Sequence, residues 1–403
     1  MIKYLGSKRT LVRVLGDIAE AAGARTAVDL FTGTTRVAQE FKKRGMEVTA
    51  SDIATYSGVL ADCYIATDAR TVDEAVLEDA LAALGRLPGA PGYFTETFCH
   101  QARYFHPTNG ARIDAVRDAI EDRYAGTALY PILLTSLMEA ADRVDSTTGV
   151  QMAYLKQWAP RALKPLELRR PELLAGPGHS IVGDVFATLD ELAGLAGGAG
   201  LAGVAGLARV AGLDELAGLA GLGGLDETGG LEKSAGLPPA DLVYLDPPYN
   251  QHRYFTNYHI WETLVRWDAP EHYGIACKRV DARDAETKSV FNKKREMPEA
   301  LGRVLERVKA DLTPDLAVVS YNNEAWITAD EMTALLRDAG FEDVRMLAFD
   351  YKRYVGAQIG IHNQQGQKVG QVSHTRNLEY VFVAGERQRV EAAVAGVSGG
   401  LAL

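Results

Sequence analysis

The stretch "TAVDLFTGTTRVAQEFKKRGMEVTASDI", residues Thr26 to Ile53, decides the fold class. It begins with a short apolar run that predicts a strand, breaks at the turn "TGTT", and continues as a helical pattern that Gly45 ends. A second short strand follows and ends in Asp52. A strand, a helix and a strand in this order form the βαβ unit from which parallel sheets are built, so we expect an α/β protein.

Further apolar runs bring the number of predicted strands to seven. They are His179 to Phe186, Asp241 to Asp246, Leu316 to Asn323, Val344 to Tyr351 and Leu378 to Gly385. A polar segment with no helical pattern joins the last two runs, which permits antiparallel pairing between them.

The region from about Tyr56 to Arg170 has a helical pattern instead. "RIDAVRDAIEDR" places Ile113, Val116 and Ile120 on one face, and "LYPILLTSLMEAADRV" carries a broad apolar stripe. These patterns predict a mostly helical insert beside the sheet.

Composition and charge limit the class of protein. The 403 residues are 47% hydrophobic and 24% charged, which is typical of a globular protein. Cys63, Cys99 and Cys277 lie far apart without a CxxC spacing, so a metal site of the zinc-knuckle type is excluded and a cytoplasmic location is expected. No secretory or membrane-spanning apolar run is present, and no membrane partner is expected. The net charge of −10 argues against coating nucleic acid but leaves room for a local basic cleft.

Residues 191–239 form a low-complexity segment that repeats a Leu-Ala-Gly triplet. A period of three builds neither a helical nor a strand face, and the near absence of proline argues against a collagen triple helix. We interpret the segment as a disordered insertion and assign it no chemistry.

The turn "DLFTGTT", Asp29 to Thr35, lies where the first predicted strand ends. Small residues there let a ligand approach the backbone at the carboxyl edge of the sheet. Asp52, about twenty residues on, is placed to accept hydrogen bonds from ribose hydroxyls. Because the turn lacks GxGxxG, a dinucleotide is disfavoured and a nucleoside ligand without pyrophosphate remains open.

"DLVYLDPPYN", Asp241 to Asn250, ends a predicted central strand in an acid and two prolines. The prolines remove two backbone donors and fix the chain direction, so carbonyl groups can point into a cleft. The Asp246 carboxylate and a free carbonyl can accept hydrogen bonds from an amine, and Tyr249 can stack on a ring. The stretch therefore suits a flat ligand that carries an NH2 group.

"DPPY", "DLFTGTT" and the N-terminal "KYLGSK" together resemble the S-adenosylmethionine-dependent DNA N6-adenine methyltransferases of the Dam-like group. "GDVF", "NQHRYFTNYHIWETLVRWD", "RYFHPTNGARIDAVRDAI" and "YLKQWAPRAL" are also similar to that family. The likeness covers most of the chain except the triplet repeat and the residues after about Gly385. It implies a Rossmann-like, seven-stranded methyltransferase sheet with a helical target-recognition insert.

The resemblance also implies a site for S-adenosylmethionine. Asp52 would hold the ribose and Ile53 would pack on the adenine ring, while Asp184 would accept from the adenine amino group beside the Val185 amide. The remaining implied contacts are Tyr4 and Lys8 near the methionine end, Phe31 and Gly33 along the cofactor, and Asp246.

One departure concerns the first loop. Relatives often carry a second glycine where this chain has Thr35, and a β-branched residue resists positive φ. The sequence therefore does not determine the backbone path of the loop at Thr35.

The implied reaction is transfer of a methyl group to the N6 amine of an adenine that is flipped out of duplex DNA. Asp246 and the Pro247 carbonyl would accept from the amine and favour a tetrahedral nitrogen, with Pro248 shaping the turn and Tyr249 stacking on the base. No cysteine stands near the motif, which disfavours C5-cytosine chemistry. The alternatives are an RNA adenine methyltransferase and a non-catalytic nucleic-acid-binding module.

Two basic runs predict the DNA contacts, "CKRVDARDAETKSVFNKKRE" and "YKRYVGAQIGIHNQQGQKVGQVSHTR". Solvated surface charge is the competing interpretation of each run. The expected partners are double-stranded DNA and a cognate restriction endonuclease. The candidate DNA-binding residues are Arg253, Asn257, Tyr258, Lys278, Arg279, Lys293, Lys294, Lys352 and Arg353.

The predicted organisation has six segments. They are an N-terminal motif with the first part of the catalytic domain (1–55), the helical target-recognition insert (56–175), a catalytic-domain strand (176–190), the low-complexity insertion (191–239), the catalytic domain with the DPPY motif and DNA-contacting loops (240–385) and a C-terminal tail (386–403).

Overall fold

The computed structural model describes most of the chain. The described residues are 2–4, 8, 11–147, 149–155, 157–196, 240–249, 251–285, 287–352, 376–397 and 401–402. Most of the triplet repeat, from residue 197 onward, lies outside these residues.

A single large sheet forms the centre of the fold, and its strand order is β10-β8-β9-β7-β4-β1-β2-β3. The strands are β1 (Thr26–Asp29), β2 (Glu47–Asp52), β3 (Gly178–Val182), β4 (Leu242–Leu245), β7 (Leu316–Asn322), β8 (Asp343–Lys352), β9 (Arg376–Gly385) and β10 (Leu401–Ala402); β5 (His272–Tyr273) and β6 (Lys278–Arg279) form a separate hairpin. All seven predicted strands are present, so the predicted Rossmann-like sheet is confirmed. Within the described part of the chain, the two-residue edge strand β10 is the one addition to this sheet.

The direction of the strands divides the sheet into two parts. Strands β3, β2, β1, β4 and β7 run parallel. Strand β9 lies between β7 and β8 and pairs antiparallel with both. The antiparallel pairing that the sequence permits for the last two predicted strands is therefore found. The parallel part brings the carboxyl ends of five strands to one edge.

Helices cover both faces of the sheet because the strands bury alternate residues on opposite sides. In β4, Leu242 and Tyr244 pack into one apolar core, and Val243 and Leu245 pack into the other. The helices are α1 (Val12–Ala21), α2 (Arg36–Lys43), α3 (Thr55–Ala61), α4 (Glu74–Gly85), α5 (Tyr93–Thr95), α6 (Pro107–Tyr124), α7 (Tyr130–Arg143), α8 (Val185–Ala196), α9 (Tyr254–Asn257), α10 (His259–Arg266), α11 (Met297–Arg307), α12 (Ala329–Asp338) and α13 (Arg387–Ala395).

The helical insert follows the predicted pattern. Ile113, Val116 and Ile120 on α6 are all fully buried, as the spacing indicates. Among the helices of the described part, none is long and apolar enough to cross a membrane.

Three local features differ from the sequence prediction. The third strand ends at Val182, because Val185 and Phe186 begin α8 rather than continue the strand. The predicted C-terminal tail contains α13, which packs on α1. The hairpin of β5 and β6 has two residues in each strand, which is too short for an alternating pattern to reveal.

Gly178, at the start of β3, is required by close packing of two backbone segments. A Cβ atom there would lie 2.4 Å from the Ile65 carbonyl oxygen and 3.0 Å from that of Val48. We expect Gly178→Ala to lower the free energy of unfolding by about 1–3 kcal/mol, since neither carbonyl can move away without disturbing its element.

Urea denaturation checks this expectation, with Gly85→Ala as the matched control. A Cβ atom at Gly85 meets no atom within 4 Å, so that variant should lose no stability. Equal midpoints for the two variants would contradict the packing argument.

Candidate active site

A cavity opens at the carboxyl edge of the parallel strands, and acidic side chains from successive strands face it. Asp29 ends β1, Asp52 ends β2 and Asp246 directly follows β4. Asp184 stands two residues after β3 and also lines the cavity. Parallel pairing of the four strands therefore gathers four carboxylates from distant parts of the sequence.

The first loop adopts left-handed backbone at two residues. Gly33 has φ +52°, and Thr35 has φ 60° in spite of its β-branch. The Thr35 amide donates to the Thr32 carbonyl at 2.7 Å, and its hydroxyl accepts from the Gln39 side-chain amide at 2.8 Å. Because Thr35 is fully buried with both groups bonded, the loop takes a glycine-like path without a second glycine.

Asp52 organises that loop. Its Oδ2 accepts from the Gly33 amide at 2.8 Å and its Oδ1 accepts from the Ala54 amide at 3.0 Å. Burial raises the pKa of the carboxyl above its usual value, although these backbone bonds oppose the shift. The neighbouring Ile53 side chain is 53% exposed and lines the cavity, so an apolar surface is available beside the carboxylate.

The turn between β3 and α8 adjoins Asp52, because the Gly183 amide donates to the Asp52 carbonyl at 3.0 Å. Gly183, Asp184 and Val185 all line the cavity. Asp184 is exposed, and its Oδ1 accepts from the Phe186 amide at 2.9 Å at the start of α8. Val185 is buried and fixes the direction of the turn.

A buried ion pair connects the N-terminal segment to the acid after β4. The Lys8 ammonium lies 3.0 Å from Asp246 Oδ1 and 3.5 Å from Glu379 Oε2, which β9 supplies. It also lies 5.4 Å from the centre of the Tyr249 ring. The sequence predicted Lys8 and Asp246 but missed Glu379, because an isolated acid in an apolar strand gives no indication of its partner.

The pKa values of this pair follow from burial and charge. Burial alone lowers the pKa of Lys8, but the carboxylates of Asp246 and Glu379 outweigh it, and the pKa lies well above its usual value. Burial raises the pKa of Asp246 to about 6, and the Lys8 charge limits that rise. Lys8 is therefore a permanent cation beside a carboxyl that titrates near neutrality.

Asp29 is a further site residue that the sequence interpretation did not assign. Its Oδ2 accepts from the Thr32 hydroxyl at 3.0 Å, whereas its Oδ1 is buried without a hydrogen-bond partner in the described residues. Burial raises the pKa of Asp29 to about 8, and the charge of Asp246 adds to the shift. Asp29 could have been found by the same pattern that identified Asp52 and Asp246, which is an acid at the end of a buried strand.

Aromatic rings close the cavity on the side of the N-terminal segment. Tyr4 stacks on Tyr258 and Tyr254, with ring centres 4.7 Å and 5.3 Å apart. A Cβ atom at Gly33 would lie 3.2 Å from the Tyr4 ring, so the absence of a side chain there keeps the loop and ring in contact. Phe31 meets Phe291 edge to face at 5.3 Å.

The four residues of the DPPY motif are not equally accessible. Asp246 and Pro248 line the cavity, whereas Pro247 is buried and does not. Tyr249 is also buried, and its ring meets Tyr321 edge to face at 5.3 Å.

Comparison with known proteins identifies the family of this chain. The model of the D12 class of N6 adenine-specific DNA methyltransferases matches residues 4–183 and 232–332. The chain belongs to this family. The unmatched residues 184–231 between the two segments contain most of the triplet repeat.

The relatives of this methyltransferase are themselves named as methyltransferases or modification methylases. Over 397 residues, 26% are identical to Type II methyltransferase M.NlaIII of Neisseria lactamica, covering 94% of this chain and all of the relative. Type II methyltransferase M.FokI of Planomicrobium okeanokoites is 26% identical, and modification methylase LlaI of Lactococcus lactis subsp. lactis is 23% identical. The match to M.FokI covers 88% of this chain and 50% of the relative, and the match to LlaI covers 94% of this chain and 56% of the relative. The chain therefore spans about half the length of these two relatives.

The predicted DNA-binding residues of the methyltransferase divide into exposed and buried groups. Arg253, Lys293 and Lys294 are exposed, and Lys278 is half-buried. Lys352 ends β8, and Arg353 lies outside the described residues.

Burial removes three of the predicted contacts from the accessible surface. Arg279 is 1% exposed, and its guanidinium lies 2.6 Å from Asp268 and 2.7 Å from Asp281. Asn257 and Tyr258 are buried as well, with Tyr258 stacked on Tyr4. The sequence shows that a basic or amide side chain lies next to a motif. It does not show whether that side chain is already bonded to another residue inside the protein.

The raised pKa of Asp29 predicts a pH-dependent stability. The folded protein retains the Asp29 proton up to about pH 8, whereas in the unfolded chain the pKa of this carboxyl is 3.8. The stability that protonated Asp29 provides is therefore complete below about pH 4 and is lost as the pH rises through 8.

We expect Asp29→Asn, which cannot ionise, to gain stability relative to the wild type between pH 5 and pH 8. Since one pKa unit corresponds to about 1.4 kcal/mol, the gain should be on the order of a few kcal/mol. Urea denaturation at both pH values measures it. A difference between variant and wild type that does not change with pH would show that Asp29 is ionised in the folded protein.

Proposed function

We propose that this chain transfers a methyl group from S-adenosylmethionine to the N6 amine of a flipped adenine at a specific site in double-stranded DNA. One observation carries the proposal. A single cavity is lined by Asp246 and Pro248 of the DPPY motif and, on its other side, by Asp52, Ile53 and Asp184. Residues suited to an amine and residues suited to a nucleoside thus share one space.

The lining residues fit S-adenosylmethionine. The ligand brings a sulfonium centre that supplies an activated methyl group, and its ammonium matches the unpartnered buried oxygen of Asp29. Asp52 binds the ribose, the exposed face of Ile53 packs on the adenine ring, and Asp184 accepts from its amino group beside the Val185 amide. The remaining contacts, at the methionine end and along the ligand, come from Tyr4, Lys8, Phe31 and Gly33, with Asp246 between ligand and substrate.

Asp246 and the Pro247 carbonyl orient the substrate amine. Each accepts one N–H, which directs the nitrogen lone pair toward the methyl group and away from the ring. The Lys8 ammonium, 3.0 Å from Asp246 Oδ1, holds this carboxylate in place. Tyr249 stacks on the base, and because its ring is now buried, entry of the base must uncover one face.

We assign the DNA contacts to three exposed cations and one half-buried cation. Arg253, Lys278, Lys293 and Lys294 are the residues that we retain, and the helical insert of residues 56–175 serves as the target-recognition unit. Arg279, buried between two aspartates, has a structural role instead.

The relatives' names, Type II methyltransferase and modification methylase, support a role alongside a cognate restriction endonuclease. The free, buried cysteines support a reducing compartment, the cytoplasm.

The reaction is tested by supplying S-adenosylmethionine with a labelled methyl group to duplex DNA, duplex RNA and no nucleic acid. Label in N6-methyladenine of the DNA alone is expected. Label only in RNA would show that the substrate is RNA. DNA binding that needs no cofactor and leads to no methyl transfer would show that the protein is a non-catalytic binding module.

Removal of the Asp246 carboxylate should separate catalysis from cofactor binding. We expect Asp246→Ala to reduce methyl transfer by about three orders of magnitude or more, because the amine loses its main acceptor. Calorimetric binding of S-adenosylmethionine should remain measurable. The matched control is Asp330→Ala, which removes an exposed carboxylate on α12 outside the cavity and should leave both properties unchanged.

Salt dependence of DNA binding tests the role of Lys278. Loss of one phosphate contact should reduce the slope of log affinity against log salt by about 1 in Lys278→Ala. Lys43→Ala, which removes a partly exposed lysine on α2, should keep the wild-type slope. Equal slopes for all three proteins would exclude a phosphate contact at Lys278.

A further inference from the structure

A basic hollow lies next to the candidate active site. Four cationic side chains line it, and among its described lining residues none is acidic; they are Arg253, Lys278, Arg283 and Lys288. In a chain of net charge −10, this local excess of positive charge fits a polyanion.

The hollow and the active-site cavity share their walls. In the helical turn α9, Tyr254 and Phe255 line the cavity, while the neighbouring Arg253 and Thr256 line the hollow. A second segment repeats this arrangement, because Lys288 lines the hollow between Thr287 and Ser289, which line the cavity. A ligand bound in the hollow therefore lies directly beside the cavity.

The hairpin of β5 and β6 rises from this hollow. Tyr273 and Lys278, which pair across the hairpin, line the hollow, and the Arg283 guanidinium lies 3.7 Å from the centre of the Tyr273 ring. The turn has Gly274 at φ +70°, and the Cys277 amide donates to the Gly274 carbonyl at 3.0 Å.

The base of the hairpin is held by buried groups. Arg279 is paired with Asp268 and Asp281, and the Tyr93 hydroxyl donates to the Pro270 carbonyl at 2.5 Å. Cys277, at the end of the turn, is 3% exposed. The hairpin is thus fixed to the protein on its inner side.

Its tip, by contrast, presents an apolar side chain to solvent. Ile275 is 83% exposed, the largest value among the exposed large hydrophobic residues of the described part. It lies between Gly274 and Ala276, which hold no side chain large enough to cover it, and it lines a second, shallow hollow together with Met152 and Tyr154. Among the described residues, therefore, none covers this fixed apolar tip beside the cationic surface.

We propose that this hairpin, His272 to Arg279, is a DNA-reading element that enters the major groove beside the target adenine, where Ile275 contacts a thymine methyl group. A two-stranded β-ribbon fits the major groove, and the thymine methyl is the apolar group displayed there. The cations of the hollow bind the flanking phosphates. The inference rests on the proposed function and adds a determinant of sequence preference after the DPPY motif, outside the helical insert.

The experiment uses the full chain and the thymine methyl as probe. Sequencing of DNA methylated by the wild type first identifies the target site. Single-turnover transfer is then measured on duplexes in which each thymine of that site and its flanks is replaced, one at a time, by uracil. The proteins compared are the wild type, Ile275→Ala and Val394→Ala, the last being a truncation of a half-buried apolar residue on α13, outside the cavity, the hollow and the helical insert.

We expect one uracil substitution to slow the wild type by roughly fourfold, the factor that burial of one methyl group gives. Ile275→Ala should be slower on the thymine duplex and indifferent to that substitution, whereas Val394→Ala should behave as the wild type. Because Ile275 is exposed, its truncation should leave the melting temperature unchanged.

Two results would overturn the hairpin proposal while leaving the methyltransferase proposal intact. One is a uracil penalty that persists unchanged in Ile275→Ala, and the other is wild-type transfer by Ile275→Ala on every duplex. Absence of transfer to any DNA by the wild type would instead remove the proposed function, and the hairpin proposal with it.

Discussion

The buried ion pair between Lys8 and Asp246 is the interaction on which the rest of the site depends. Asp29, Asp52, Asp246 and Glu379 bring acidic groups to one edge of the sheet, and Lys8 is the cation that meets two of them. Separating either partner from such a buried pair leaves an uncompensated charge, which costs about 3–5 kcal/mol. The N-terminal segment is therefore held across the sheet edge by charge, and its Tyr4 ring is brought against the Gly33 loop.

The parallel sheet explains why these acids meet at all. Each strand of the parallel part ends at the same edge, so the residue at or after its last position faces a common space. Antiparallel β9 enters from the other direction, and its Glu379 reaches the same space near the start of the strand. Burial then raises the pKa of Asp29 to about 8 and of Asp246 to about 6. The fold thus keeps part of this negative charge neutralised by protons.

Sequence reasoning recovers what is local and periodic. The βαβ unit, the buried face of α6 and the acids Asp52 and Asp246 follow from patterns within about twenty residues. Glu379 does not, because its partner Lys8 is 371 residues away and no local pattern marks a long-range ion pair. Arg279 shows the opposite error, since a basic side chain within a basic run is buried between two aspartates. The family resemblance indicated the residues that are expected to contact the nucleoside part of the cofactor. The hairpin of β5 and β6, after the DPPY motif, is too short for the sequence to show an alternating pattern.

The active-site cavity and the basic hollow also differ in charge, and this difference affects the binding of an anionic polymer. The cavity is lined by four aspartates together with Lys8 and Arg36, whereas the adjoining hollow is lined by Arg253, Lys278, Arg283 and Lys288 and by no acid among its described residues. Under the hairpin proposal, a duplex is attracted to the hollow, and the flipped base, which carries no charge, enters the cavity. Under the proposed function, the carboxylates of the cavity favour a ligand that carries positive charge, as a sulfonium with an ammonium does. The difference in charge between the two sides of α9 would then give each substrate its own place before any specific hydrogen bond forms.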